Sequence, residues 1–341
     1  MRACVIHGAG DLRVEDIDPS PVGENEVEVT IELGGICGSD LHYFRHGGVG
    51  DFTIKAPMVL GHEIVGTVLR VGASVDGWMP GQRVAVNPSK PCTSCYGCTS
   101  GHYNLCSDMQ FLGSAARMPH IQGGFKERHV ARADQLVALP DHLRSEVAVF
   151  AEPLAVAMHA VARAGALLGQ RVLVTGAGPI GALITAAARR AGAASVVVTD
   201  LADEPLAIVR RSGATDTINV ANSPNDLTEA GEFDITFEAS GAPPALNTAV
   251  EATRRGGRII MVGLLPPGTV PMMGNRLVTK EIDLHGSFRF HEEFRWAVQA
   301  LGDGLDVSAL HSATYPLEQA HEAFMLAGNR SEAMKVQLSF E

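Results

Sequence analysis

Arg171-Val172-Leu173-Val174-Thr175-Gly176-Ala177-Gly178-Pro179-Ile180-Gly181 runs from apolar, β-branched residues into three glycines at the spacing G-x-G-x-x-G. Alone, that spacing arises often by chance, and its flanks decide the reading. A buried strand precedes it, an alanine-rich helical stretch follows as far as Arg190, and a second apolar run, Ser195 to Thr199, ends at Asp200. Strand, glycine turn, helix, strand and acid form the context in which such a turn binds a dinucleotide. Gly176 permits the tight turn, Gly178 lets the backbone approach a pyrophosphate, and Gly181 allows the helix to pack closely on the sheet. The helix start at Pro179 and Ile180 then faces the phosphates. Asp200 is placed to accept from both ribose hydroxyls of NAD and to repel a 2′-phosphate, and Leu201, Ala202 and Asp203 bring no compensating cation. NAD is favoured, while the nearby Arg210 and Arg211 keep NADP open. A purely structural βαβ unit is the bland alternative.

Towards the C-terminus, strand-like runs recur at 217–220, 233–238, 258–262 and 282–286, with helical segments between several of them. This is the pattern of a doubly wound parallel sheet, an α/β fold that holds its ligand at the carboxyl ends of the strands. Ser240, Val262 and Gly263 follow two of those strands and are expected on the nicotinamide side of the crevice, with Ser287 past a third. Phe294, Ala297, Val298 and Leu301 recur at helical spacing and read as a core helix. Thr314-Tyr315-Pro316-Leu317 leads into a further helix at about 318–327. The last strand-like run, 334–338, is expected to return to the N-terminal domain, making the dinucleotide domain an insertion.

Towards the N-terminus the texture is mostly β. Short runs at 2–6, 26–31, 65–72 and 83–86, punctuated by glycine and proline and without intervening helices, suggest a barrel or a sandwich-like domain. Two stretches interrupt it with chemistry. Ile36-Cys37-Gly38-Ser39-Asp40-Leu41-His42 offers a thiol, a hydroxyl and an imidazole, and Leu60-Gly61-His62-Glu63 an imidazole beside a carboxylate. Thiolate, imidazole and carboxylate are the ligands of an open, catalytic zinc site. Cys92, Cys95, Cys98 and Cys106 crowd into a stretch too polar to bury them as core thiols. Four thiolates close a tetrahedral zinc, so this site is structural and supplies folding free energy to its lobe.

The chain's 341 residues suggest two domains, and a hydrophobic fraction of 46% with 19% charged residues is that of a globular protein. A net charge of −11 argues against nucleic-acid or membrane-surface binding. No apolar run is expected to reach the roughly 18 residues that cross a bilayer, and no signal-peptide core is read at the N-terminus. A cytoplasmic location is expected, where clustered cysteines bind metal rather than form disulfides.

In order, Cys37, Gly61-His62-Glu63, the four-cysteine lobe, Glu152 and the glycine turn resemble the zinc-containing medium-chain dehydrogenases over essentially the whole chain. Residues 35–43, 151–156 and 286–290 resemble the polyol, sorbitol dehydrogenase-like branch, and 54–63, 87–92 and 111–115 its sugar-acid members. The resemblance implies a dinucleotide-binding Rossmann domain at 154–290, inserted in a mainly-β, GroES-like barrel catalytic domain at 1–153 and 291–341. It implies one catalytic and one structural zinc, a nicotinamide cofactor, and hydride transfer to and from a secondary hydroxyl of a sugar acid or polyol. It also implies a homo-oligomer, a tetramer or a dimer. Cys37 and His62 would be zinc ligands, with Glu63 and Glu152 competing for the remaining protein position. Ser39 and His42 match the proton-relay positions. Arg289 would meet substrate hydroxyls or a carboxylate, or else be a structural ion-pair residue, and Tyr43 and Phe111 would wall the pocket. Sorbitol, xylitol or threonine dehydrogenation is the enzymatic alternative. A non-catalytic, zinc-braced binding protein is the alternative from another class.

Overall fold

A computed structural model describes every residue except Pro224 and Glu341. The apolar run 171–175 is the central strand of a six-stranded sheet in the order 216–219, 195–200, 171–175, 233–238, 253–261, 283–286, every neighbouring pair parallel. Strand order reverses beside 171–175, which is where a doubly wound sheet opens its ligand crevice. The helix Pro179–Arg190 starts there, and the helix Ala151–Ala164 packs against it. Alanines 151, 155, 157, 160 and 164 of that second helix are buried, so its backbone approaches the neighbouring elements closely.

The other domain is a barrel-like sheet of seven strands centred on Glu26–Gly35. That strand pairs antiparallel with Glu63–Val71, with Arg128–Arg132 and with the last strand of the chain, Lys335–Ser339. The return of the C-terminal run is therefore direct: Gln337 lies opposite Gly35 and Ser339 opposite Leu33. The fold is α/β, with a Rossmann sheet carried as an insertion in a GroES-like barrel.

Three local readings are corrected. Gly38–His46 is a helix within the mainly-β part. Cys37 is its N-cap, with its amide donating to Asp40 Oδ2 at 2.9 Å, and Gly47 ends it at φ 68°. The signal was a cysteine three residues before an aspartate, in the arrangement of a capping box. Thr314-Tyr315-Pro316, read only as the lead-in to a helix, belong to a strand, His311–Pro316, parallel to Lys335–Ser339 and exposed on alternate positions, and the expected helix follows at Ala320–Ala327. The stretch 145–164 does reach bilayer-crossing length and hydropathy, but 67% of its apolar 18-residue window is buried inside the protein, as in a core helix.

Two features of this frame hold the functional stretch Gly61-His62-Glu63. Gly61 has φ 89°, and a Cβ there would lie 2.1 Å from the ring of the fully buried Phe125. Glu63, wholly buried at the start of its strand, has both carboxylate oxygens 2.7 Å from Nζ of Lys335, the first residue of the return strand. Lys335 is itself buried and also donates to the Ile36 carbonyl at 3.2 Å. Gly61→Ala combines a left-handed backbone with overpacking and is expected to cost about 2 kcal/mol or more, read from the urea midpoint. Lys335→Met leaves a buried carboxylate uncompensated and is expected to cost about 3–5 kcal/mol. Most of that loss should return in Lys335→Met/Glu63→Gln, measured in the same urea titration.

Candidate metal centre and dinucleotide site

Cys37, His62 and Glu63 converge from two chain segments, and one ligand atom from each lies within 4.8 Å of the others. Asp40, fully buried, joins the segments: Oδ2 takes the Cys37 amide, and Oδ1 takes the Gly61 amide at 3.2 Å. The same oxygen stands 3.9 Å from Nδ1 of His62, which is buried without a hydrogen-bond partner. A thiol, an imidazole and a carboxylate gathered this closely, with one ring nitrogen orphaned, suit a borderline-soft divalent cation. Burial, and then the charge of Glu63, push the Cys37 thiol up to about 11, so this cluster holds a thiolate at neutral pH only beside a cation.

Glu152, in the first turn of the helix Ala151–Ala164, is buried beside this trio but not within its 4.8 Å circle. Burial raises its carboxyl to about 8, the His62 charge opposes this, and Glu63 and Cys37 add to it. Glu63 and Glu152 thus differ: the first sits in the cluster tied to a lysine, the second faces it without one.

Around the trio, the Phe111 ring lies 5.4 Å from the His62 ring. The Arg289 guanidinium lies 4.6 Å over Phe111 and 4.7 Å over Phe288, a pair of cation–π contacts. Burial lowers the Arg289 pKa against the charges of Glu152, Cys106 and Tyr43, so the guanidinium is largely withdrawn from water beside the acids of the site. Tyr43 is buried and its hydroxyl accepts the Ala115 amide at 2.9 Å, which makes it a fixed wall. Ser39 and His42 sit three residues apart on the helix Gly38–His46, one partly buried and one exposed. Partial burial and then the neighbouring His46 lower the His42 pKa, keeping its ring neutral and able to accept a proton.

The four-cysteine lobe closes on itself. The Sγ atoms of Cys92 and Cys98 are 4.0 Å apart and those of Cys95 and Cys98 3.6 Å, and all four cysteines are free. A tetrahedral zinc at its usual bond length to sulfur separates its thiolates by about 3.8 Å, so the cage fits the ion without rearrangement. Backbone amides of Cys92 and Cys95 also point at sulfurs, at 3.2 and 3.4 Å, as they do towards thiolates.

In the glycine turn, each glycine has its own cause. Gly176 takes φ 94°, and a Cβ on Gly181 would lie 1.9 Å from the Gly176 carbonyl oxygen. A Cβ on Gly178 would meet nothing within 4 Å, so no protein atom requires that glycine. The space it leaves lies at the N-cap of the helix that begins with Pro179 and Ile180, which is the ligand's side. Asp200 accepts the Ala177 amide at 2.7 Å on one oxygen and the Leu201 and Ala202 amides on the other, so it braces the turn. Arg210 and Arg211 are engaged elsewhere, with Asp216 at 3.6 Å and the Ala309 carbonyl at 3.4 Å. The Ser240 hydroxyl is committed to Glu238, and a Cβ on Gly176 would come 2.9 Å from Ser240 Cα, so these strand ends abut. Val262 and Gly263 donate their amides to the Glu238 carbonyl, while the buried Ser287 hydroxyl has no protein partner. Asp40 and Lys335 escaped the sequence reading. Only the C-x-x-D spacing hinted at Asp40, and nothing local marks a lysine in a strand 272 residues from Glu63.

Comparison with known proteins agrees with this geometry. The alcohol dehydrogenase GroES-like domain model matches residues 23–141, and the zinc-binding dehydrogenase model matches 179–303. L-idonate 5-dehydrogenase (NAD(P)(+)) of Escherichia coli K12 is 43% identical, over 99% of this chain and 98% of its own. Sorbitol dehydrogenase of Bacillus subtilis is 35% identical over 98% and 96%. The crystal structure of the E. coli L-idonate 5-dehydrogenase superposes with a TM-score of 0.93 at 42% identity, covering 99% of this chain and 97% of that one. Identity of this order over the full length of both domains means that the chain belongs to the zinc-binding alcohol and polyol dehydrogenases, oxidoreductases that act on CH–OH groups with a nicotinamide cofactor.

Proposed function

We propose that the protein interconverts L-idonate and 5-ketogluconate, using NAD in preference to NADP. The observation that carries the sugar-acid reading is Arg289, a desolvated guanidinium stacked on Phe111 beside the Cys37–His62–Glu63 cluster. A carboxylate is its natural bidentate partner. The full-length likeness to an idonate dehydrogenase supports the same substrate. The second reading is a neutral polyol, supported by the likeness to sorbitol dehydrogenase and by the carboxyl of Glu152, which can hydrogen-bond a hydroxyl.

Catalytic zinc is assigned to Cys37, His62 and Glu63, with Glu152 left to meet the substrate, and structural zinc to Cys92, Cys95, Cys98 and Cys106. When bound, the catalytic ion supplies Lewis acidity that makes the substrate hydroxyl a stronger acid, and the nicotinamide takes the hydride. The chain does the rest. Asp40 holds Cys37 and Gly61 in register, and Lys335 balances the buried charge of Glu63. Ser39 would take up the alcohol proton, and His42, whose ring is exposed on the same helix, would release it to solvent. Arg289 fixes the substrate's acidic end, and Tyr43 and Phe111 limit its motion. The glycine turn from Gly176 to Gly181 would hold the pyrophosphate and Asp200 the adenine-side ribose. Ser240, Val262, Gly263 and Ser287 border the nicotinamide. Both arginines near Asp200 already have partners, which supports NAD.

The same proposal divides the chain into a catalytic part, 1–153 and 291–341, and a dinucleotide part, 154–290. It includes a homo-oligomer in the cytoplasm. The outer strand of the Rossmann sheet, Asp283–Gly286, has a free edge among the described residues, and Leu264, Met272, Met273 and Val278 are exposed in the segments between it and the preceding strand.

Steady-state kinetics should show NADH-dependent reduction of 5-ketogluconate and a higher kcat/KM with NAD than with NADP; turnover of sorbitol without idonate would overturn the substrate. Arg289→Ala should raise KM for L-idonate about tenfold to a hundredfold, the worth of hydrogen bonds to a charged group. Metal analysis should give two zinc ions per chain, and Cys37→Ser should abolish turnover while leaving the metal of the cysteine lobe in place.

A further inference from the structure

Arg289 has φ 56°, in the left-handed region that an arginine adopts only when its surroundings impose it. It lies in the segment between the strand Asp283–Gly286 and the helix Glu293–Gly302, and neither element dictates that conformation. The four-cysteine lobe ties down the residue before Arg289. Asn104 sits in the single turn Tyr103–Leu105, between the third and fourth cysteines, and is itself buried. Its Nδ2 donates to the carbonyl of Phe288, the residue before Arg289, at 3.0 Å across 184 positions of sequence.

The orientation of that amide is enforced. His159 Nδ1 lies 3.0 Å from the Glu293 carboxylate, which in the neutral ring puts the proton on Nδ1 and leaves Nε2 as the acceptor. That Nε2 stands 3.5 Å from Asn104 Nδ2, so both amide hydrogens have acceptors and the side chain is held with its nitrogen towards Phe288. Glu293 in turn accepts the His291 amide at 2.7 Å, and the His291 ring meets the Tyr103 ring edge-on at 4.7 Å. Two neighbouring residues of the lobe therefore grip the chain on both sides of Arg289.

We propose that Asn104 is a positioning residue for Arg289, and that through it the cysteine lobe sets how the enzyme recognises the acidic end of its substrate. The lobe is then part of the specificity apparatus as well as a brace. With the Phe288 carbonyl fixed and the backbone at Arg289 turned left-handed, the guanidinium lands over Phe111 and beside Glu152. Without Asn104, the 287–292 segment loses its tie to the lobe and relaxes towards ordinary dihedrals, moving the guanidinium away from the site. This rests on the reading of Arg289 as the carboxylate partner.

The test compares Asn104→Ala and the near-isosteric Asn104→Asp, which keeps shape but presents no N–H to the carbonyl, with Arg289→Ala and the double variant Asn104→Ala/Arg289→Ala. Kinetics are run on L-idonate and on a neutral polyol, with zinc content and thermal midpoint measured in parallel. Both Asn104 variants are expected to raise KM for L-idonate about tenfold or more, the order of loss for a reacting or binding group misplaced by about an ångström. The NAD KM, zinc content and neutral-polyol turnover should change less than about twofold, within what a distant independent site shows. The double variant should be no worse than Arg289→Ala, because both act through one group. An Arg289→Ala variant that keeps its idonate KM overturns the reading of Arg289 itself. An effective Arg289→Ala with silent Asn104 variants, with losses equal for both substrates, or with additive losses in the double variant overturns the positioning role alone.

Discussion

The buried ion pair between Glu63 and Lys335 is the constraint on which the architecture turns. A carboxylate with no exposure cannot remain charged without a partner, and the partner here arrives from the first residue of the last strand. Lys335 also reaches the Ile36 carbonyl, one residue from Cys37. A single ammonium group thus touches both chain segments that build the metal cluster. Because it belongs to the return strand paired with Glu26–Gly35, the barrel is complete only after the whole Rossmann domain has been made. One desolvated ion pair thus ties the return strand to the metal cluster.

Asp40 provides the complementary tie. It spends one carboxylate oxygen on the Cys37 amide and the other on the Gly61 amide, so the helix carrying Ser39 and His42 is locked to the turn carrying His62. The division of labour among the acids follows from their surroundings. Glu63 has a lysine and sits inside the cluster, Asp40 has backbone donors and sits behind it, and Glu152 has neither and faces it. Three buried carboxyl groups in one site differ because their partners differ.

The dinucleotide turn shows the same economy. Asp200 braces the turn through Ala177, so the side chain proposed to select the cofactor also sets the geometry of the turn. The lobe of four cysteines likewise reaches beyond its own stability, since its turn at Tyr103–Leu105 bonds to the segment bearing Arg289.

Much of this was legible in the amino-acid order, and the boundary is physical. Glycine spacing after a strand, four cysteines within fifteen residues and apolar alternation are local patterns, and the forces behind them act between near neighbours. They were enough to expect the parallel sheet and the two clusters of candidate metal ligands that the fold brings together. The helix at Gly38–His46 escaped because a cysteine served as its cap, and the strand at 311–316 because its partner lies elsewhere in the chain. Lys335, Asp40 and Asn104 were beyond a linear reading for a stronger reason. Each acts by satisfying a polar group far away in sequence, and burial of that group exists only once the chain has folded. Sequence by itself determined which chemistry the protein carries; tertiary structure decided which side chains hold that chemistry in place, because desolvation is a property of the packed molecule.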